Sequence, residues 1–190
     1  MATLEELLRR VEKLEARAEI SELVSSYAIA CDEHDMARLS SLFAEDAVFD
    51  SPSGFLKASS RKEICDMFVR VFKIRGPGYH WTHDHFVRFD DARPDDATGL
   101  VLSHAETLPG PDVSLSAMRY EDAYRRVDGR WVFARRSISF LYYVPAKEFT
   151  QVFHSPLRVV LGDKRVAADY PEPLAAWQAF EREHGTKART

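Results

Sequence analysis

The sequence predicts an α+β domain in which about three helices lean on a curved antiparallel sheet. Two observations lead there. Apolar residues recur at three-and-four spacing through the first part of the chain, and from residue 80 to 143 they alternate in short runs between turn-rich stretches. Helices first and strands afterwards is the α+β order. A third observation fixes one pairing: "VDGR" at 127–130 is a hairpin turn, because Asp-Gly accepts the positive φ angles that a tight turn needs. Helices against a curved sheet enclose a cone with an apolar interior, and that shape supplies a cavity.

The elements follow in order. Residues 4–30 read as one long helix, with Leu4, Leu7, Val11 and Leu14 on one stripe and Ile20, Leu23, Val24 and Tyr27 continuing it. The first sixteen residues are otherwise mostly charged and are expected to form an arm that packs on a partner subunit. "EHDMARLSSLFAEDAVFDSPSG" predicts a short helix, a strand around residues 47–49 and a turn rich in Ser, Pro and Gly. "SSRKEICDMFVRVFK" is a third helix, capped by Ser60, with Ile64, Met67, Phe68 and Phe72 on one face. Strands are expected at 80–90, 98–108, 114–126 and 131–143, with "DDARPDD" and "LPGPD" as turns. A terminal helix in "YPEPLAAWQAFEREHG" should begin near Pro171 or Pro173. The chain therefore divides into an arm (1–16), a domain (17–143) and a C-terminal extension (144–190).

Bulk properties exclude several function classes. The 190 residues suit one domain with an arm or tail. Net charge is −4 and the basic residues are scattered among acids, so nothing resembles the basic stripe that nucleic-acid phosphates require. No apolar run reaches the roughly 20 residues that span a bilayer, so no membrane is expected as a partner. The N-terminus is too charged for a secretory signal, and Cys31 and Cys65 do not make a disulfide framework. A cytoplasmic protein is expected. Twelve Phe, seven Tyr and three Trp can line an aromatic pocket.

The chemistry concentrates in "YHWTHDHF", residues 79–86, which holds three histidines. On a regular strand His83 and His85 share a face and His80 lies on the other. A same-face pair begins a metal site, and His104 with Glu106 on the next strand can extend it. The cupin spacing before "HDH" is off by one, however, and no histidine follows "LPGPD", so a metal site stays open as an alternative behind proton transfer, and no metal is the first expectation. Proton transfer needs one histidine and one carboxylate to fix its tautomer. In "ACDEHD", Asp32 lies close to the buried face of the first helix, where an acid is costly unless paired. Arg136 shares a strand face with Val132, Ala134, Ile138 and Phe140, where a guanidinium is either paired or poised for an anion.

"EISELVSSYAIACDEHDMARLSSLFAEDAVFD", "HWTHDHFVRFDD" and "YEDAYRRVDGRWVFARRS", in that order, resemble the SnoaL-like branch of the nuclear transport factor 2-like (NTF2-like) superfamily over residues 17–143. That branch includes scytalone dehydratase, bile-acid dehydratase and hexachlorocyclohexane dehydrochlorinase. The resemblance implies the cone-shaped fold and assigns Tyr27, Asp32 and His83 as catalytic, with His80 as a preceding non-catalytic histidine. It places Arg136 and His104 at the substrate, while His85 has no clear counterpart and is expected to contact substrate as well. It implies a cofactor-independent lyase acting on a hydrophobic, aromatic, hydroxylated small molecule by His-Asp acid–base chemistry. Dehydration is the first expectation, and aldehyde-releasing cleavage, isomerisation and cyclisation need the same groups. The superfamily also holds non-catalytic binders and dioxygenase β subunits. A homo-oligomer is implied, with a trimer favoured over a dimer.

Overall fold

The computed structural model describes residues 2–185; Met1 of the arm and residues 186–190 of the extension lie outside the described residues. Helix α1 (Leu4–Glu33) starts at a capping box, in which Thr3 Oγ1 accepts from the Glu6 backbone N–H and the Glu6 carboxylate accepts from the Thr3 N–H. Its first three turns are exposed, including Leu4, Leu7, Leu8, Val11 and Leu14. From Ala16 onward Ile20, Leu23, Val24, Tyr27 and Cys31 are buried, so the helix enters the core only where its apolar stripe broadens. It ends at His34, which adopts a left-handed conformation and stacks on Phe72 at 4.3 Å. Asp35 caps the short α2 (Met36–Ser41), and Ser60 caps α3 (Arg61–Arg75).

Six strands make the main sheet: β1 (Phe43–Asp50), β2 (Lys57–Ala58), β3 (Gly78–Asp90), β4 (Arg93–Thr107), β5 (Ser114–Val127) and β6 (Arg130–Pro145). Their order is β2-β1-β6-β5-β4-β3, antiparallel throughout except that β1 runs parallel to β6. The β5–β6 turn is formed by Asp128 and Gly129, both at positive φ, as the Asp-Gly signal requires. The core lies between the inner face of this sheet and α1–α3. There Tyr27, Phe43, Phe49, Phe68 and Phe133 pack with ring centroids 5.3–6.4 Å apart. Each such side chain contributes roughly 1.5–3 kcal/mol on burial.

Three expectations shift. The β3–β4 turn narrows to Asp91 and Ala92, because the Asp90 carboxylate accepts from the Ala92 N–H and the Arg93 side chain and closes the turn itself. Strand β1 begins at Phe43, four residues before the expected start, on pairing with Phe133. The terminal helix, α4 (Ala175–His184), begins after both prolines, because Leu174 is extended and takes the N-cap position.

The extension docks on the sheet. A 3-10 segment (Ala146–His154) covers part of the outer face through Phe149, Val152 and Phe153 against Tyr142. Strands β7 (Val159–Leu161) and β8 (Lys164–Val166) continue beside the end of β6. Buried Arg158 holds this segment together, with both Nη atoms 2.7 Å from the Glu172 carboxylate and Nε donating to the Leu141 carbonyl. No helix among the described residues is long and apolar enough to cross a membrane.

Candidate active site

A cavity of about 110 Å³ lies between the inner sheet face, α1 and α3. Phe49, Phe68, Met67, Met118, Ile138 and Phe140 give it apolar walls. Its polar groups are His80 from β3, Arg75 from the last turn of α3, Thr107 from β4, Ser116 and Tyr120 from β5 and Tyr143 from β6, with Tyr27 of α1 in the wall. This is the usual character of a small-molecule site, apolar with a few converging polar groups. A wider groove of about 590 Å³ runs between the arm and the β3–β4 turn, but it is open, and Lys13 and Asp91 in it are paired with each other.

Asp32 pairs with His80. Asp32 Oδ1 lies 2.5 Å from His80 Nδ1, and Asp32 Oδ2 accepts from the His80 backbone N–H at 2.9 Å. The two side chains are only 15% and 7% exposed, so the contact is shielded from water. One carboxylate thus fixes both the strand backbone and the imidazole ring. The bond at Nδ1 assigns its proton there and leaves the Nε2 lone pair on the ring's opposite edge.

The expected partner, His83, is not at this place. Between Thr82 and His85 the β3–β4 register slips, and the extra residue inverts the alternation of faces. His80 and His85 therefore face inward with Val87 and Phe89, and His83 faces outward. His83 Nε2 meets His104 Nδ1 at 2.7 Å on the outer sheet face, away from Asp32. Both residues are exposed. Burial and the neighbouring His83 lower the pKa of His104. Neither residue lines the cavity, which corrects the substrate contact expected of His104.

Arg136 also lies outside the cavity lining. It is fully buried and bonds Asp122 through Nε at 2.9 Å and Nη2 at 2.8 Å. The rings of Tyr27, Tyr120 and Phe133 surround it at 4.1–4.2 Å. Burial opposes its charge, but Asp122 beside it raises its pKa above the ordinary arginine value. The guanidinium stands behind Tyr27 and Tyr120 as a brace. His85 joins the same network: its Nε2 lies 3.1 Å from the Tyr124 hydroxyl, which donates to Asp122 at 2.8 Å. Burial lowers the His85 pKa, with Asp122 pulling the other way. Gly99 makes room for this network, since a Cβ there would sit 2.7 Å from the Tyr124 ring and hydroxyl.

Tyr27 is in the cavity wall. Burial, and then the neighbouring Cys31, push its pKa well above the usual tyrosine value, so the phenol stays protonated. The burial of Cys31 raises its thiol to about 12, leaving no thiolate nucleophile at neutral pH. Besides Ser116 and Tyr120, three polar lining groups were not anticipated. Thr107 Oγ1 and the Tyr143 hydroxyl share a hydrogen bond of 2.8 Å. The third, Arg75, donates from Nη2 to the Cys31 carbonyl at 3.2 Å. Among the described residues no group of three or more His, Cys, Asp or Glu is placed to hold a metal ion.

A model of the SnoaL-like domain matches residues 12–137. The chain belongs to the SnoaL-like family. The chain is 27% identical over 143 residues to the gamma-hexachlorocyclohexane dehydrochlorinase of Sphingobium indicum, covering 71% of this chain and 86% of that protein. A crystal structure of such a dehydrochlorinase aligns with TM-score 0.64 at 27% identity, covering 72% of this chain and 92% of the other. A scytalone dehydratase-like protein of Novosphingobium aromaticivorans aligns with TM-score 0.65 at 18% identity, covering 72% and 91%, and bears on the fold alone. The SnoaL-like chain thus has the NTF2-like architecture, a long N-terminal helix and a curved open sheet.

Proposed function

We propose that this protein is a cofactor-independent lyase, eliminating a small leaving group from a hydrophobic ring-sized molecule. The observation that carries the reading is the Asp32–His80 pair at the wall of a largely apolar cavity. The named relative supports the class, since a dehydrochlorinase by name removes hydrogen chloride from a chlorinated ring. His80 Nε2 takes a proton from a substrate carbon, and Asp32 stabilises the imidazolium that forms. The C–H electron pair becomes the new π bond as the bond to the leaving group breaks and its electrons depart with that group. For a hydroxyl leaving group, the Thr107–Tyr143 hydroxyl pair supplies a hydrogen bond, and His80 returns its proton to the departing oxygen. Tyr27 acts as a neutral wall and donor, and Arg136 holds Tyr27 and Tyr120 in place.

The size of the cavity supports a single ring: about 110 Å³ is close to the roughly 150 Å³ cavity that accepts benzene. Hydroxylated and halogenated six-membered rings are the proposed substrate class. Turnover of a panel of such rings, followed by product release and by deuterium uptake at carbon, tests the reading. His80→Gln and Asp32→Asn should each lose about 10²–10⁴-fold, while His83→Ala should turn over like the parent. Near-normal turnover by His80→Gln would remove the dyad from the mechanism.

Assembly into a homo-oligomer, a trimer first, is part of the same proposal. The exposed Leu4, Leu7, Leu8, Val11 and Leu14 of the arm support it. Sedimentation equilibrium of the full chain decides it, and a monomer at micromolar concentration would reject it.

A further inference from the structure

Arg75 is the cation at the cavity that has no counter-charge. Arg136 and Arg158, the deeply buried arginines of the fold, each hold a carboxylate through two nitrogens. Arg75 forms no ion pair among the described residues. Among the described residues its Nη2 donates to the Cys31 carbonyl, its Nε is buried without a partner, and its guanidinium lies 5.2 Å from the Phe72 ring. A buried donor left unmet calls for a partner, and a guanidinium's preferred partner is a planar anion held by two parallel hydrogen bonds.

The position of Arg75 says where such an anion would lie. Its backbone is fixed at the end of α3, where its carbonyl accepts from the Leu108 N–H at 3.0 Å. Through Cys31 its side chain adjoins Asp32, the next residue along α1, and so stands beside the dyad. It borders the cavity and also a neighbouring groove of about 400 Å³ along the "LPGPD" loop and β7. Phe55, Val71 and Tyr143 border both spaces as well. A ring in the cavity can therefore place a substituent at Arg75 on the rim.

Charge balance points the same way. An incoming carboxylate would complete an ion pair with Arg75 and leave Asp32 to hold the His80 proton. A neutral ring would leave the half-buried Arg75 guanidinium at the rim with no planar anion to join the Cys31 carbonyl on its donors.

Resting on the lyase reading of this cavity, we infer that Arg75 is its anion-binding residue and that its ligand is a single-ring carboxylic acid bound as the carboxylate. Arg75 determines specificity, whereas His80 does the chemistry. The test is titration of the ¹⁵N-labelled full chain with sodium benzoate and with benzyl alcohol, read from the amide shifts of Ala105, Thr107 and Met118. The parent should prefer benzoate by at least about tenfold, the range of one charged hydrogen bond. Arg75→Met should bring benzoate down to benzyl alcohol, with benzyl alcohol itself unchanged, which shows the cavity intact. Arg75→Lys should keep part of the preference, since it retains the charge and loses the fork. A parent that does not favour benzoate, or an Arg75→Met variant that still does, overturns the inference. So does loss of both ligands in Arg75→Met together with no preference in Arg75→Lys. His80→Gln should keep the benzoate preference, so failure of the dyad in turnover and failure of Arg75 in binding are read separately.

Discussion

Removing the Asp122 carboxylate should cost more stability than any other single side-chain truncation around the site. Asp122 and Arg136 are 0% and 1% exposed, and the pair is held by two hydrogen bonds. Asp122→Ala leaves a guanidinium in the core with three aromatic rings and no anion, and it strips the Tyr124 hydroxyl of its acceptor. Breaking a buried pair in this way costs about 3–5 kcal/mol. For a chain of this length each kcal/mol moves the melting midpoint by roughly 2–4 °C, so a fall of about 6–20 °C is expected. Thermal and urea unfolding, followed by circular dichroism, measure it. The companion double variant, Asp122→Leu with Arg136→Met, removes both charges and should recover most of the loss, since an apolar pair of similar volume is often no less stable. A loss below about 1 kcal/mol in Asp122→Ala would refute the argument, because the charge could not then be buried and unanswered.

Other outcomes follow from the same geometry. Gly99→Val should destabilise by about 1–3 kcal/mol, because even a Cβ meets the Tyr124 ring; urea midpoints compare it with Leu102→Val, a control on the outer face of the same strand. The folded-state pKa values of His85 and His104 are lowered, so below the ordinary value near 6.5 the unfolded chain binds more protons than the folded one. Stability should therefore rise with pH through the window just below 6.5 and fall as the solution is acidified, and His85→Gln should flatten that slope. An unchanged slope would mean that His85 keeps its ordinary pKa. Thr3→Ala should cost at most about 1 kcal/mol at the exposed start of the arm, seen as reduced helicity with the same core melting cooperativity.

Much of the fold was legible because its signals are local. The Asp-Gly turn, the Ser60 cap and the three-and-four apolar spacing each act over a few residues, and the structure places β5–β6, α3 and α1 accordingly. Of the candidate site, the Asp32 contact was legible, since an acid on the buried side of a helix end needs a partner, and Asp32 has one in His80. The identity of that partner was not legible by strict alternation. A bulge near Asp84 changes which residues face inward, and it is set by pairing with a strand twenty residues away. One trace of it is present in "YHWTHDHFVRF". Trp81 and Phe86 are both exposed although they differ in parity, while Val87 and Phe89 pack inward, so no single alternation fits the run. Arg136 misled for a different reason. Its face was correctly apolar, but its carboxylate lies across a hairpin, and facing inward is not the same as facing the cavity.

Asp32 binds the fold and the chemistry together in a way that sets what a variant there can reveal. One oxygen holds the His80 backbone N–H and the other holds its ring, so Asp32→Asn disturbs both the bulged strand and the tautomer. Asparagine keeps an acceptor for one of the two donors but cannot stabilise an imidazolium by charge. Its effect on stability should be small, since the pair is replaced by a neutral hydrogen bond, whereas its effect on proton transfer should approach that of His80→Gln. The double variant should then be little worse than either single one, because two residues that act as a unit lose their function once. Independent, multiplying losses would mean that Asp32 and His80 serve different steps, and the carboxylate would then have to be assigned a role other than orienting the base.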